Sequence, residues 1–148
     1  MAVLPKMSAI MKGLALLSFR NPSTVPSPEA AHAALLFAQV AWNRTLGHEM
    51  AVYKELLAVF LRSNPDLWSE LRSRDAEALI DIMRRAKEER YPTDRRVVVV
   101  CGMRDEKVHV EWCDEKDYPR AAELSKQILE SRYGAGRTLG KGRSRQGA

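Results

Sequence analysis

The chain has 148 residues, with 24 Lys and Arg against 19 Asp and Glu for a formal charge of +5, and 45% of its residues are hydrophobic. That length suits one domain, and the apolar share excludes a wholly disordered chain. Two cysteines exclude a disulfide scaffold and fit a reduced, cytoplasmic setting, so the location of the positive charge becomes the main question.

The first predicted element is an amphipathic helix within residues 1–20, because Met7, Ile10, Met11, Leu14 and Leu17 fall on one helical stripe. Its apolar run, Gly13 to Phe19, is seven residues long and meets Arg20-Asn21-Pro22, which is too short for a signal-peptide core. The helix is expected to dock on a body spanning residues 27–133. A loop through Pro22 and Pro26 leads to Ser27 as N-cap, Pro28 at the first helical position and Glu29 at the positive end of the dipole. This second helix runs to Leu46, with Gly47 supplying the left-handed residue after it. Its apolar stretch from Ala30 to Trp42 is interrupted by His32 and Gln39 and falls short of the ~18–20 residues a membrane span needs. No transmembrane span is expected, and the segment reads as the central helix.

A third helix over residues 49–62 presents Val52, Leu56, Val59 and Phe60 on one face. Ser63-Asn64-Pro65 ends it and starts a short helix with Leu67, Trp68 and Leu71 inward. Asp75 caps a fifth, over residues 76–90, whose stripe is Leu79, Ile80, Met83 and Ala86; Tyr91-Pro92 stops it.

The period then changes. Val97 to Cys101 is β-branched and Lys107 to Trp112 alternates, so both are predicted strands of a hairpin. A turn centred on Arg104-Asp105 would set Cys101 against Val108, Val99 against Val110 and Val97 against Trp112 on an inner face. The outer face would hold Arg96, Val98 and Val100 against Cys113, Glu111 and His109. In this register Cys101 and Cys113 lie roughly 17 Å apart at ~3.4 Å per residue, beyond the reach of a disulfide. A last helix over residues 119–133 carries Ala121, Leu124 and Ile128 inward. Residues 134–148 hold five glycines, four basic residues and no acid, the composition of a flexible tail. The expected fold is α+β and mostly α: about five helices packed on a two-stranded antiparallel hairpin, with that tail.

An isolated two-stranded ribbon with valines on both faces and two open edges is marginal in water. Something must cover the second face or pair an edge. The chain's own helices could do so, or a second copy could pair with the hairpin to give a four-stranded sheet, with Val98, Val100, His109 and Glu111 at the interface.

Candidate chemistry is sparse. His109, Glu111 and Cys113 share a strand face and could converge on a metal ion, but no fourth ligand is evident and no cofactor is expected. The strand ending at Cys101-Gly102 lacks the Arg six positions on that a phosphate-clamping cysteine nucleophile needs; Lys107 stands there and a second strand follows. Residues 135–142 fail as a phosphate loop, since Ala135 replaces the first glycine and Gly142 follows Lys141.

The order of elements from residue 49 onward matches a winged helix-turn-helix, whose hairpin is the wing. The charges oppose that reading. The would-be recognition helix opens on Asp75, Glu77 and Asp81, and residues 105–117 hold six acids against two lysines. Basic residues cluster at Arg84, Arg85, Lys87, Arg90, Arg95 and Arg96, interleaved with Glu88, Glu89 and Asp94, and recur in the tail at Arg137, Lys141, Arg143 and Arg145. The tail thus supplies four of the five net charges and the body is close to neutral. The expected function is a small non-enzymatic protein-interaction or self-associating module. Nucleic-acid binding through the basic residues and a metal or enzymatic role on the outer hairpin face are the alternatives.

Overall fold

In the computed structural model, which describes residues 6–21, 23–24, 26–48 and 51–120 with residues 123 and 127, four α-helices precede a β-hairpin. The helices are α1 (Met7–Leu16), α2 (Pro28–Thr45), α3 (Ala51–Ser63) and α4 (Ala76–Arg90), with a 3₁₀ turn at Pro65–Ser69. The strands are β1 (Val97–Arg104) and β2 (Lys107–Cys113). A second 3₁₀ turn, Glu115–Asp117, leads into helical positions at residues 118–120, 123 and 127. The fold is α+β and mostly α. The inward positions expected at Ala121, Leu124 and Ile128, and the tail over residues 134–148, lie outside the described residues.

Local chemistry sets the helix ends. Ser27 Oγ accepts a hydrogen bond from the Ala30 amide at 3.2 Å and donates one to Glu70 Oε2 at 2.7 Å, which ties the α2 N-terminus to the chain 43 residues on. Gly47 sits at φ +86° just past α2, where a side chain would be strained. Asp75 Oδ1 accepts from the Glu77 and Ala78 amides and starts α4. Arg20 and Ser18 exchange backbone bonds with Glu70 and Arg72, at 2.9 and 2.7 Å, so the end of α1 is stitched to the segment before α4.

Helix α2 is the centre. It packs against α1, α3, α4 and β1, and all of its residues from Ala33 to Asn43 are buried. Around it lie Met7, Ile10, Met11, Leu14 and Ala15 of α1 and Leu79, Ile80, Met83 and Ala86 of α4. On α3 the buried residues are Leu57 and Leu61, with Val59 and Phe60 half-buried. Of the expected face, Val59 and Phe60 are half-buried, with Phe60 against the core, and the Val52 and Leu56 side chains lie outside the described residues.

The hairpin register differs from the expectation by one position at the turn. Asp105 and Glu106 both have positive φ, 51° and 64°, so they form the two-residue turn and Arg104 faces Lys107. Two left-handed non-glycine residues cost roughly 1–2 kcal/mol each, a penalty the packing of the strands must outweigh. Cys101 consequently faces Val110 and Met103 faces Val108, whereas Val100 faces Glu111 and Gly102 faces His109. A bulge at Val99 then shifts the ladder, and Val98 faces Trp112. The corrected faces bury Val97 and Val98 completely and leave Trp112 47% exposed, the reverse of the expected placing of Val98 and Trp112. Gly102 sits at a close approach: a Cβ there would lie 3.3 Å from His32 Cε1, so the His32 ring would have to shift to admit it.

Over residues 96–99 the outer edge of β1 is closed from within the chain. Asn43, fully buried on α2, donates from Nδ2 to the Val98 carbonyl at 2.8 Å and accepts at Oδ1 from the Val98 amide at 2.9 Å. Gln39 Nε2 lies between the Val98 and Val99 carbonyls, at 3.2 and 3.1 Å, and Trp42 Nε1 donates to the Arg96 carbonyl at 2.6 Å. Residues 39, 42 and 43 share one helical face, and their side chains take the place of a third strand over residues 96–99. The bulge at Val99 is what turns two successive carbonyls toward one glutamine.

Replacing Asn43 by Ala strands the buried Val98 N–H, at about 1–3 kcal/mol, and removes one of the two hydrogen bonds to the Val98 carbonyl, at about 0.5–1.5 kcal/mol. We expect Asn43→Ala to lower the urea-unfolding free energy by roughly 2–4 kcal/mol. A loss within ~0.5 kcal/mol, the size of an ordinary surface substitution, would show that the amide does not close the edge.

Candidate functional site

Because α2 closes β1, the hairpin has an inner and an outer strand. Every residue from Val97 to Gly102 is buried except half-buried Val99, whereas no residue of β2 is buried. A two-residue turn makes Arg104 and Lys107 a hydrogen-bonded pair, and the pairs alternate from there. The amides and carbonyls of His109 and Glu111 therefore point at β1, and those of Val108, Val110 and Trp112 point away from it. Val98, opposite Trp112, obeys the same alternation, since its backbone groups point outward to Asn43. Among the described residues no further strand pairs with β2, and no hydrogen bond reaches its outer edge.

The exposed large hydrophobic side chains among the described residues, Met103 and Trp112, are both on this hairpin. Met103 and Val108 also close one side of an apolar groove of about 450 Å³, whose other walls include Leu16, Phe19, Pro28 and Leu35. Trp112 is held from beneath, with the Arg96 guanidinium carbon 5.2 Å from its ring centre. Arg96 is itself buried and donates from Nε to Asp94 Oδ1 at 3.0 Å. Lys87, also buried, donates to the Asp94 carbonyl at 2.8 Å and places Nζ 4.8 Å from the Trp42 ring centre. Burial pushes the Lys87 ammonium below its ordinary pKa. Burial pushes the Asp94 carboxyl up, but the hydrogen bonds and charge of Arg96 outweigh it and hold the group below the usual carboxylate range.

Four of the six cations singled out before the hairpin, Arg84, Arg85, Arg95 and Arg96, are committed to neighbouring acids. Arg84 pairs with Asp81 at 2.6 Å and with Glu88, Arg85 with Asp81 at 2.9 Å, and Arg96 with Asp94. Arg95 makes a two-pronged pair with Glu115, whose carboxylate also lies 3.6 Å from His48 Nε2. His48 in turn stacks on Tyr118 with ring centres 3.9 Å apart. The basic run before the hairpin and the acidic stretch after it meet in the Arg95–Glu115 pair. Arg137, Lys141, Arg143 and Arg145 lie outside the described residues.

The three candidate metal ligands do not converge. His109 Nε2 and Glu111 Oε2 are 2.9 Å apart on the outer strand, but no group of three His, Cys, Asp or Glu able to hold a metal ion exists among the described residues. Cys113 faces buried Val97 at the far end of the strand, and its thiol is pushed up by burial and by Asp117 and Asp114. Burial pushes the Cys101 thiol far up as well, which disfavours the thiolate a nucleophile needs. Neither cysteine is in a disulfide. Of the four residues expected at a dimer interface, Val98 and Val100 are buried by this chain, while Glu111 is exposed and His109 half-exposed. No helix of the described residues is long and apolar enough to cross a membrane.

Gln39, Trp42 and Asn43 were not singled out from the sequence, although two side-chain amides at i and i+4 in an apolar helix are a readable sign of an internal partner. The chain matches no protein-family model, and neither the curated proteins nor the solved structures contain a match to it.

Replacing Asp94 by Asn leaves the buried Arg96 guanidinium without its counter-charge, which costs about 3–5 kcal/mol at neutral pH. Because the folded carboxyl titrates below its unfolded value of about 3.9, that contribution is complete above about pH 5. It is lost as pH falls through the lower, folded value. The stability gap between the parent and Asp94→Asn should therefore close on acidification, measured by denaturant unfolding at stepped pH. A gap that stays constant below the carboxylate range would contradict the assignment.

Proposed function

We propose that this chain is a non-enzymatic interaction module that accepts a partner's β-strand along the outer edge of β2. The carrying observation is the asymmetry of the hairpin: side chains of α2 bond the β1 edge over residues 96–99, and no described group bonds the β2 edge. Strand addition gains main-chain hydrogen bonds at Val108, Val110 and Trp112, and flanking side chains supply specificity. Trp112 on a cation and Met103 beside an apolar groove give that edge apolar contacts within reach of an added strand. The paired cations of α4 and of the β1 approach favour this reading over phosphate binding by the body.

Hydrogen exchange at sub-micromolar protein concentration, resolved to single amides by mass spectrometry, tests whether the edge is open. The amides of His109 and Glu111 should exchange at least ~100-fold more slowly than those of Val108, Val110 and Trp112. Equal protection of all five at high dilution would mean that the chain covers this edge itself, and the proposed function would fall.

A further inference from the structure

We propose that the strand taken up by β2 is β2 of a second copy, antiparallel and in the register that sets Val110 against the partner's Val110. This rests on the open-edge reading above and names its occupant. The sequence Val108-His109-Val110-Glu111-Trp112 is complementary to its own reversal. In this register Val108 meets the partner's Trp112, His109 meets the partner's Glu111, and each pair occurs twice about a two-fold axis. The backbone geometry agrees with the side chains. Val108, Val110 and Trp112 carry the outward amides and carbonyls, and they become the hydrogen-bonded pairs of the new ladder. His109 and Glu111 become the intervening pairs, in which opposed side chains are closest, so a basic ring meets a carboxylate where proximity counts most.

Each copy already holds the two groups side by side, His109 Nε2 and Glu111 Oε2 being 2.9 Å apart, so pairing assembles a ring of alternating groups rather than an isolated contact. Trp112, 47% exposed in one copy, would gain a β-branched neighbour across the junction. A register shifted by two toward the turn sets His109 against the partner's His109 and leaves Trp112 opposite the partner's Glu106. A shift by two the other way opposes Glu111 to the partner's Glu111. The register centred on Val110 alone joins an imidazole facing a carboxylate at residues 109 and 111 to an apolar partner for Trp112. Its one like-charge meeting, Glu106 with the partner's Asp114, falls at the exposed ends, where solvent ions screen it. The product is a four-stranded sheet with β1 at each outer edge, and α2 already closes part of each of those edges.

Sedimentation velocity of the full chain from low to high micromolar concentration should show a reversible monomer–dimer equilibrium. A strict monomer at high micromolar concentration would overturn the inference; if the Val108, Val110 and Trp112 amides remain unprotected, the open-edge function survives and only its occupant changes. Val110→Pro removes one outward amide without touching the bonds to β1, and should weaken the dimer at least tenfold with unchanged circular dichroism; an undiminished dimer would overturn the pairing. Should that variant misfold, Val110→Cys in a Cys101→Ala, Cys113→Ser background, which removes the thiol that faces Val110 within the chain, reads the register directly. Facing residues of a hydrogen-bonded pair sit about 5.5 Å apart between Cα atoms, within disulfide range. Mild oxidation should link the Val110→Cys dimer and leave Val108→Cys unlinked. A dimer that links through His109→Cys and not through Val110→Cys would overturn the register.

Discussion

The structure depends on one interaction, the insertion of the Asn43 and Gln39 side-chain amides against the outer edge of β1. A two-stranded ribbon has two rows of unsatisfied backbone groups, and burying one of them against a helix is ordinarily prohibitive. Helix α2 removes the problem by offering donors and an acceptor at the spacing of a strand: Asn43 exchanges two bonds with Val98, and Gln39 reaches the Val98 and Val99 carbonyls. Once that edge is satisfied, β1 can enter the core with valines on both faces. The apolar length of α2, the bulge at Val99 and the absence of a side chain at Gly102 all serve that entry.

Closing one edge defines the other. The strand that α2 grips becomes the inner strand, and β2 is left at the surface with Trp112 beside Arg96. The charged residues follow the same division. Asp94, Arg96 and Lys87 lie where the chain turns from α4 into β1, buried and mutually compensated, and Arg95 reaches across to Glu115 beyond β2. The electrostatics of the body therefore hold the hairpin in place, and the backbone edge of β2 and the side chains that flank it are left at the surface.

Much of the helical part was legible in the sequence because its signals are local. Ser27-Pro28, Gly47 and Asp75 announce helix ends through chemistry that acts within four residues, and the α4 stripe follows from period alone. The hairpin register was not legible. The turn lacks the glycine that marks a left-handed position, so Asp105-Glu106 carries no sign of its φ values, and four successive valines give no alternation from which to read a face or a bulge. Which valines lie inside was decided by Asn43, 55 residues away, a contact no local pattern encodes. The same holds for the site. That His109 and Glu111 share a face was readable from their spacing, whereas the exposure of Trp112 followed from the bulge. The pairing of Arg84, Arg85 and Arg96 was visible as interleaved charge; the burial of Arg96 was not.

A side-chain amide of α2 extends the ladder of β1 at Val98. The most direct measurement is a long-range NMR experiment that detects scalar coupling across hydrogen bonds. The Asn43 side-chain nitrogen and the Val98 carbonyl carbon should show a cross-hydrogen-bond coupling, and the Val98 amide should exchange only on global unfolding. No coupling, with a Val98 amide in rapid exchange with water, would contradict it.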